Sequence, residues 1–292
     1  MRVSKWQGWN AWILPATVLC FIISLTPWII MIYNGFFNLS YTKVGSGQFV
    51  GLENYRQAFK DPAFLESFWI TVEVLLVALP AEFLLGLGLA VLISKHLRMR
   101  RFVVPILTIP MIIAPAVVGL IWNLNLNPNF GPLGIFLSRI GLSREGLLAS
   151  TKTALWTIIA IDIWQWTPFM FLLFIAGLLG QPKEPLEAAQ VDGASAWQTF
   201  KRVSIPSLKS IFIVGFLLRF TDLYKIFDSI WVMTGGGPGM ATEALSVFGY
   251  RVNFGYWHIG YGSAVVMVIF IISYLASLVF FHTVVPPEKK IE

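Results

Sequence analysis

The sequence predicts an all-α membrane protein with six transmembrane helices, and three observations lead there. The 292 residues are 57% hydrophobic and only 12% charged, with a mean hydropathy of +0.73, well above the apolar share of soluble domains. The apolar residues fall into six runs, each near the ~20 residues that a helix needs to cross the hydrocarbon core. The cations gather in the short segments between runs, as they do in loops that face the cytoplasm. The formal net charge of +6 therefore reads as topology and contact with membrane lipids, not as a nucleic-acid surface. Cys20 is the single cysteine and lies inside an apolar run, which excludes an internal disulfide.

The first run, Trp12 to Tyr33, holds Pro15 and Pro27 but no charge, and Trp6, Trp9, Trp12 and Trp28 bracket it as interfacial aromatics. It is too long for a signal-peptide core and lacks a small-residue cleavage site, so a retained span is expected. With the polar stretch behind it, it forms an N-terminal region, 1–67. The second run, Phe68 to Ile93, carries Glu73 and Glu82. Nine residues at about 100° each place them on opposite helix faces. Gly86 and Gly88 admit a close neighbouring helix. Lys95, His96, Arg98, Arg100 and Arg101 follow, the densest basic cluster in the chain, which assigns that loop and both termini to the cytoplasm.

The third run, Phe102 to Trp122, is uncharged but contains Pro105, Pro110 and Pro115. The last two free backbone carbonyls that need partners, which favours a helix inside a bundle. A polar loop from Asn123 to Gly131 is expected outside. The fourth run, Leu155 to Leu179, contains Asp162, Trp164, Gln165, Trp166 and Pro168. The fifth, Ile211 to Met233, carries Arg219, Asp222, Lys225 and Asp228 at steps of three, so that each neighbours the next on a continuous helix. Two readings stand for these four charges: a self-neutralising ladder, or the lining of an aqueous path to which Glu82 and Gln165 also contribute. Thr234-Gly235-Gly236-Gly237-Pro238 stops this run, and a sixth spans Tyr261 to Val284. The core is then 68–284, and 285–292 is a cytoplasmic tail.

Between the fourth and fifth runs lies a polar island, 181–207. Pro182 and Pro185 suit a first helical turn, and Glu184 and Glu187 fall near its favourable end. Ala188, Ala189 and Ala194 leave the backbone approachable, and Gly193 permits a sharp turn. The expected form is a short helix, a bend, and a second short helix ending before Pro206. From these properties alone the island is either a docking element or a connecting loop.

Glu187-Ala188-Ala189, Asp192-Gly193 and Pro206 resemble the "EAA" loop of ABC importer permeases. Gly51-Leu52-Glu53-Asn54-Tyr55, the Trp164-Gln165-Trp166-Thr167-Pro168 run, and Phe227-Asp228 with Thr234 to Pro238 resemble segments of the sugar, polyol and glycerol-phosphate group of that family. The resemblance implies the type I importer fold and a carbohydrate cargo crossing the cytoplasmic membrane of a prokaryote. It also implies these partners: a second permease subunit, two ATP-binding subunits and an extracytoplasmic solute-binding protein. Glu187, Ala188, Ala189, Asp192 and Gly193 are then the coupling helix that meets the ATPase.

The alternative is a self-contained, ion-coupled secondary transporter using Glu82, Asp162, Asp222 and Asp228 as relays. The absence of a visible inverted repeat argues against it. His96, His258 and His282 are scattered without metal-ligand spacing. No nucleophile elbow is present, and no Walker lysine follows the glycines. An enzyme is therefore not expected, nor a cofactor; ATP is expected to be used by partner subunits.

Overall fold

The computed structural model describes the backbone of residues 7–94 and 97–284. The basic N-terminal residues Met1–Lys5, the pair Lys95 and His96, and the tail with Pro286, Pro287, Lys289 and Lys290 lie outside them. In chain order the first helices are α1 (Gln7–Gly35), α2 (Glu53–Lys60), α3 (Pro62–Ser94) and α4 (Leu97–Ile112). There follow α5 (Pro115–Leu126), α6 (Pro132–Arg139), α7 (Ala154–Leu179), α8 (Lys183–Val191) and α9 (Ala196–Thr199). The last are α10 (Ile205–Ser207), α11 (Lys209–Tyr224), α12 (Asp228–Met233), α13 (Leu245–Tyr250) and α14 (Ile259–Val284). Two short strands, β1 (Phe37–Asn38) and β2 (Gln48–Phe49), pair antiparallel with Phe37 opposite Phe49.

Among the described residues, four helices are long and apolar enough to cross a membrane, and six spans result if each of two bent pairs counts as one. The first bent pair corrects the third run. It is not one helix from Phe102 to Trp122 but α4 and α5, joined at 92°. Pro115 cannot donate to the ladder, and its ring pushes Ala114 into an extended conformation (φ −57°, ψ 137°), which ends α4. Helix α5 then runs through Asn123 and Asn125, so the polar stretch expected as a loop begins later, and α6 follows it.

The chain forms two compact units. One comprises 1–64 and 249–272. In it Asn54 Nδ2 donates to the carbonyls of Gly35 and Phe37 at 2.9 and 3.0 Å, tying the end of α1 to the hairpin. Tyr261 Oη donates to Asp61 Oδ2 at 2.6 Å. The other unit, 65–248 with 273–292, holds the main core. Ile158, Ile159 and Ile161 of α7 pack with Val74 and Ala78 of α3, Leu223 of α11 and Ile230 of α12. Further along α7, Met170, Phe171 and Phe174 pack with Ala90 and Ile93. Gly86 makes that crossing possible: a Cβ there would stand 2.6 Å from Met170 Cβ and 2.9 Å from Phe171 N. Gly88, expected to do the same, has nothing within 4 Å.

Candidate functional site

The polar island folds as two exposed helices around a fixed bend. Pro182 occupies the N-cap of α8, and Glu184 lies in its first turn. At the other end Ala194 N–H donates to Ala189 O at 2.9 Å and Gly193 N–H to Gln190 O at 3.1 Å, the paired bonds of a Schellman stop. That geometry requires the left-handed backbone of Gly193, at φ +74°. Ser195 then caps α9 in a reciprocal box with Gln198. Neither α8 nor α9 contains a buried residue; Val191 is 87% and Trp197 67% exposed. The base of the island is fastened by Gln181 Nε2 donating to Ser204 O at 2.9 Å.

One expectation fails here, because the second helix does not end before Pro206. The helical path continues from Ala196 to Ser207 and bends by 61° into α11. A π-turn over Phe200–Ser204, closed by Ile205 N–H to Phe200 O, widens the ladder just where the proline has no N–H to contribute.

The second feature is a buried charged knot. Arg219 of α11 donates from Nε and Nη2 to the two oxygens of Glu82 on α3, at 2.7 and 2.6 Å. Nη2 also reaches Asp162 Oδ2 on α7 at 2.8 Å, and Nη1 reaches Asp222 Oδ2 at 2.6 Å. Trp166 lies beneath, its ring centroid 4.8 Å from the guanidinium carbon. The planar fork of arginine meets three carboxylates and a ring at once, which a lysine ammonium cannot do. Glu82 and Arg219 are buried, whereas the Asp222 side chain is 44% exposed.

Of the two readings of these four charges, the ladder is corrected accordingly. Only the Arg219–Asp222 step forms, since α11 stops at Tyr224 and the backbone breaks before α12. Lys225 and Asp228, on either side of the break, are exposed and form no ion pair among the described residues. The compensation for Arg219 comes from other helices. Asp162 was a candidate only under the ion-coupled reading. The signal in the sequence is only general: a cation inside the membrane needs carboxylates, and Glu73, Glu82, Asp162, Asp222 and Asp228 were all available to Arg219.

The two broken spans meet. Helix α5 packs on α12 through Gly119, where a Cβ would lie 3.3 Å from Val232 Cβ. Gln165 Nε2 donates to Ile113 O at 3.0 Å, satisfying a carbonyl freed by the break before α5. The Ser246 hydroxyl donates to Ile226 O at the break before α12. Asn123 Nδ2 donates to Val232 O and Met233 O at 3.3 and 2.9 Å, closing the far end of α12. Between the breaks is a cavity of about 280 Å³, bordered by Pro115, Asp162, Trp166, Asp222, Lys225 and Asp228 among others. Glu82 and Gln165 do not border it; each is buried, engaged with Arg219 and Ile113 respectively.

Comparison with known proteins gives a consistent result. Residues 82–290 match the family described as "Binding-protein-dependent transport system inner membrane component". A trehalose/maltose transport system permease protein of Thermococcus litoralis is 35% identical over 227 residues, 77% of this chain and 77% of that protein. A sulfoquinovosyl glycerol transport system permease protein of Agrobacterium fabrum is 33% identical over 92% of this chain and 88% of its own length. Among solved structures, a bacterial ABC transporter involved in import of the acidic polysaccharide alginate superimposes with a TM-score of 0.80. It covers 99% of this chain and 100% of that one at 22% identity, a likeness of fold. The chain therefore belongs to the family of inner membrane components of binding-protein-dependent transport systems, built on the type I permease fold.

Proposed function

We propose that this chain is one transmembrane subunit of an ATP-driven importer for a carbohydrate, a sugar or sugar alcohol. It works in the cytoplasmic membrane of a prokaryote with a second permease subunit, two ATP-binding subunits and an extracytoplasmic solute-binding protein. Both termini and the 181–207 island face the cytoplasm in this reading. ATP is bound and hydrolysed by the partner subunits, so the chain itself carries no cofactor and no catalytic group.

The observation that carries the reading is the state of α8 and α9. They leave every side chain without deep cover, including Val191 and Trp197, yet their bend is fixed by four backbone and capping bonds. A rigid, uncovered stub suits insertion into a groove on another protein, with Glu187 offered to a cation there. Because the helical path runs from the stub through Leu208 into α11, displacement of the stub is passed to Arg219 and Asp222. Motion at the ATPase thus reaches Asp222, at the border of the cavity, along a bent helical path with no intervening loop.

The cavity suits a hydroxyl-rich solute. Asp222 and Asp228 accept from hydroxyl groups, Lys225 donates to them, and the Trp166 face covers the C–H side of a sugar ring. Glu82 and Gln165 act behind this surface by holding Arg219 and the α4–α5 break. The reading is tested in proteoliposomes with a radiolabelled disaccharide. Uptake should require the second permease, the ATPase, the binding protein and ATP together. Ion-driven uptake by this chain alone would overturn it.

A further inference from the structure

Helices α4 and α7 leave a groove between them at the Arg101 end, of about 580 Å³. Its walls are two helical stripes: Arg101, Val104 and Pro105 on α4, and Leu172, Ile175, Ala176 and Leu179 on α7. The spacings i, i+3, i+4 and i, i+3, i+4, i+7 put each set on one face. Every wall is apolar except at Arg101. Pro105 and Ala176, a compact ring and a methyl, are among the lining residues and both are exposed. Deeper in, Val104 and Ile175 belong to the packed core, so the groove has a firm floor.

The charge at its mouth is unbalanced. Arg101 makes no ion pair among the described residues. Between Glu82 and Glu145 the sequence contains no acidic residue, while Lys95, Arg98, Arg100 and Arg101 fall within seven positions. The same end is the N-terminus of α4, a 16-residue helix whose dipole favours an anion. An apolar channel with the Arg101 guanidinium at its mouth, in a stretch of sequence with no acid to balance it, matches one molecule of a membrane surface, a lipid with an acyl chain and a negative head.

We propose that this groove binds an anionic phospholipid, one acyl chain lying along the α4–α7 stripes and the phosphate at the Arg101 guanidinium. A zwitterionic lipid fits the channel equally well but gains less at the mouth, so charge sets the selectivity. Leu179 lines this groove and also the cavity beneath the 181–207 island, bordered by Leu186, Trp197 and Phe200. The lipid therefore lies against the base of the island. The inference rests on the chain spanning a membrane and not on what it carries.

The test uses the full transporter with Cys20→Ser and Ile106→Cys, a fluorophore on the new thiol beside the groove and outside its walls, reconstituted in phosphatidylcholine. Acyl-brominated phosphatidylglycerol or acyl-brominated phosphatidylcholine is then titrated in as quencher. Phosphatidylglycerol should quench at about fivefold lower mole fraction, the preference expected from one basic side chain at an anionic surface. Arg101→Gln should bring the two lipids level, whereas Arg139→Gln should leave the preference intact. Equal quenching in the unmodified transporter overturns the proposal, as does a preference that survives Arg101→Gln. Failure of both lipids to quench also overturns it, because the groove is then covered by a neighbouring subunit.

Discussion

Arg219 and Glu82 lie 137 residues apart and meet fork to fork, with two N–H groups donating to two carboxylate oxygens at 2.7 and 2.6 Å. The pair joins α11 to α3, and Asp162 adds α7 to the same guanidinium. Arg219→Met leaves two buried carboxylates without a cation, a change that costs about 3–5 kcal/mol. Glu82→Gln leaves Arg219 with Asp162 and Asp222, and its amide oxygen still accepts a bond. Thermal unfolding in detergent should rank Arg219→Met well below Glu82→Gln. Equal midpoints would show that the knot is not held by its arginine.

Gly86 and Gly88 provide a paired test of the α3–α7 crossing. A side chain at Gly86 meets backbone and Cβ atoms of Met170 and Phe171, which cannot swing away, whereas Gly88 faces open space. Gly86→Leu should lose at least the ~1–3 kcal/mol of an overpacked core, and Gly88→Leu should fall near the parent protein. The yield of monodisperse protein and the unfolding midpoint both report the difference. A reversed order would contradict the packing.

Asn123 closes α12 by donating to the Val232 and Met233 carbonyls. Asn123→Leu strands both in an apolar setting and should cost about 1–3 kcal/mol. Asn125, whose amide bonds only within its own helix to Ile121 O, is no more than partly buried and should tolerate the same change. Matching losses at the two positions would remove the clamp from the account.

In the cavity, Lys225→Gln and Asp228→Asn alter groups that stabilise no partner among the described residues. Both variants should fold with unchanged midpoints while the solute concentration for half-maximal uptake rises several-fold. Uptake curves that superimpose on the parent would take these residues off the path.

Much of this was legible in the sequence, and the failures share a cause. Span lengths and the island's bend follow from local rules: apolar run length, proline position, and the need for a left-handed residue at Gly193. Freed carbonyls near Pro110 and Pro115 were foreseeable, but neither Ile113 O nor Gln165 as its partner was, since that contact joins residues 52 apart. Steps of three made Arg219, Asp222, Lys225 and Asp228 look like one ladder. A period describes neighbours only while the helix lasts, and α11 ends at Tyr224. Pro115 was visible as a disturbance, yet the 92° turn depends on Gln165 of α7 taking up the Ile113 carbonyl that the break releases.

Gly193→Pro bears on the role of the island. Proline cannot take φ +74°, and it removes the N–H that bonds to Gln190 O. Glu187→Lys instead reverses the charge on an exposed face without touching the bend. Each should leave membrane insertion intact and reduce solute-stimulated ATP hydrolysis by at least about tenfold, the equivalent of ~1.4 kcal/mol of lost coupling. Normal rates in both would argue for a passive connecting loop.

The most direct measurement places a cysteine at Val191 in a Cys20→Ser background and asks what lies within disulfide reach in the assembled transporter. A crosslink to an ATP-binding subunit, strengthened or weakened by nucleotide, is the predicted result. Labelling of that thiol by a membrane-impermeant reagent added outside intact cells, with no crosslink under any nucleotide condition, would contradict it.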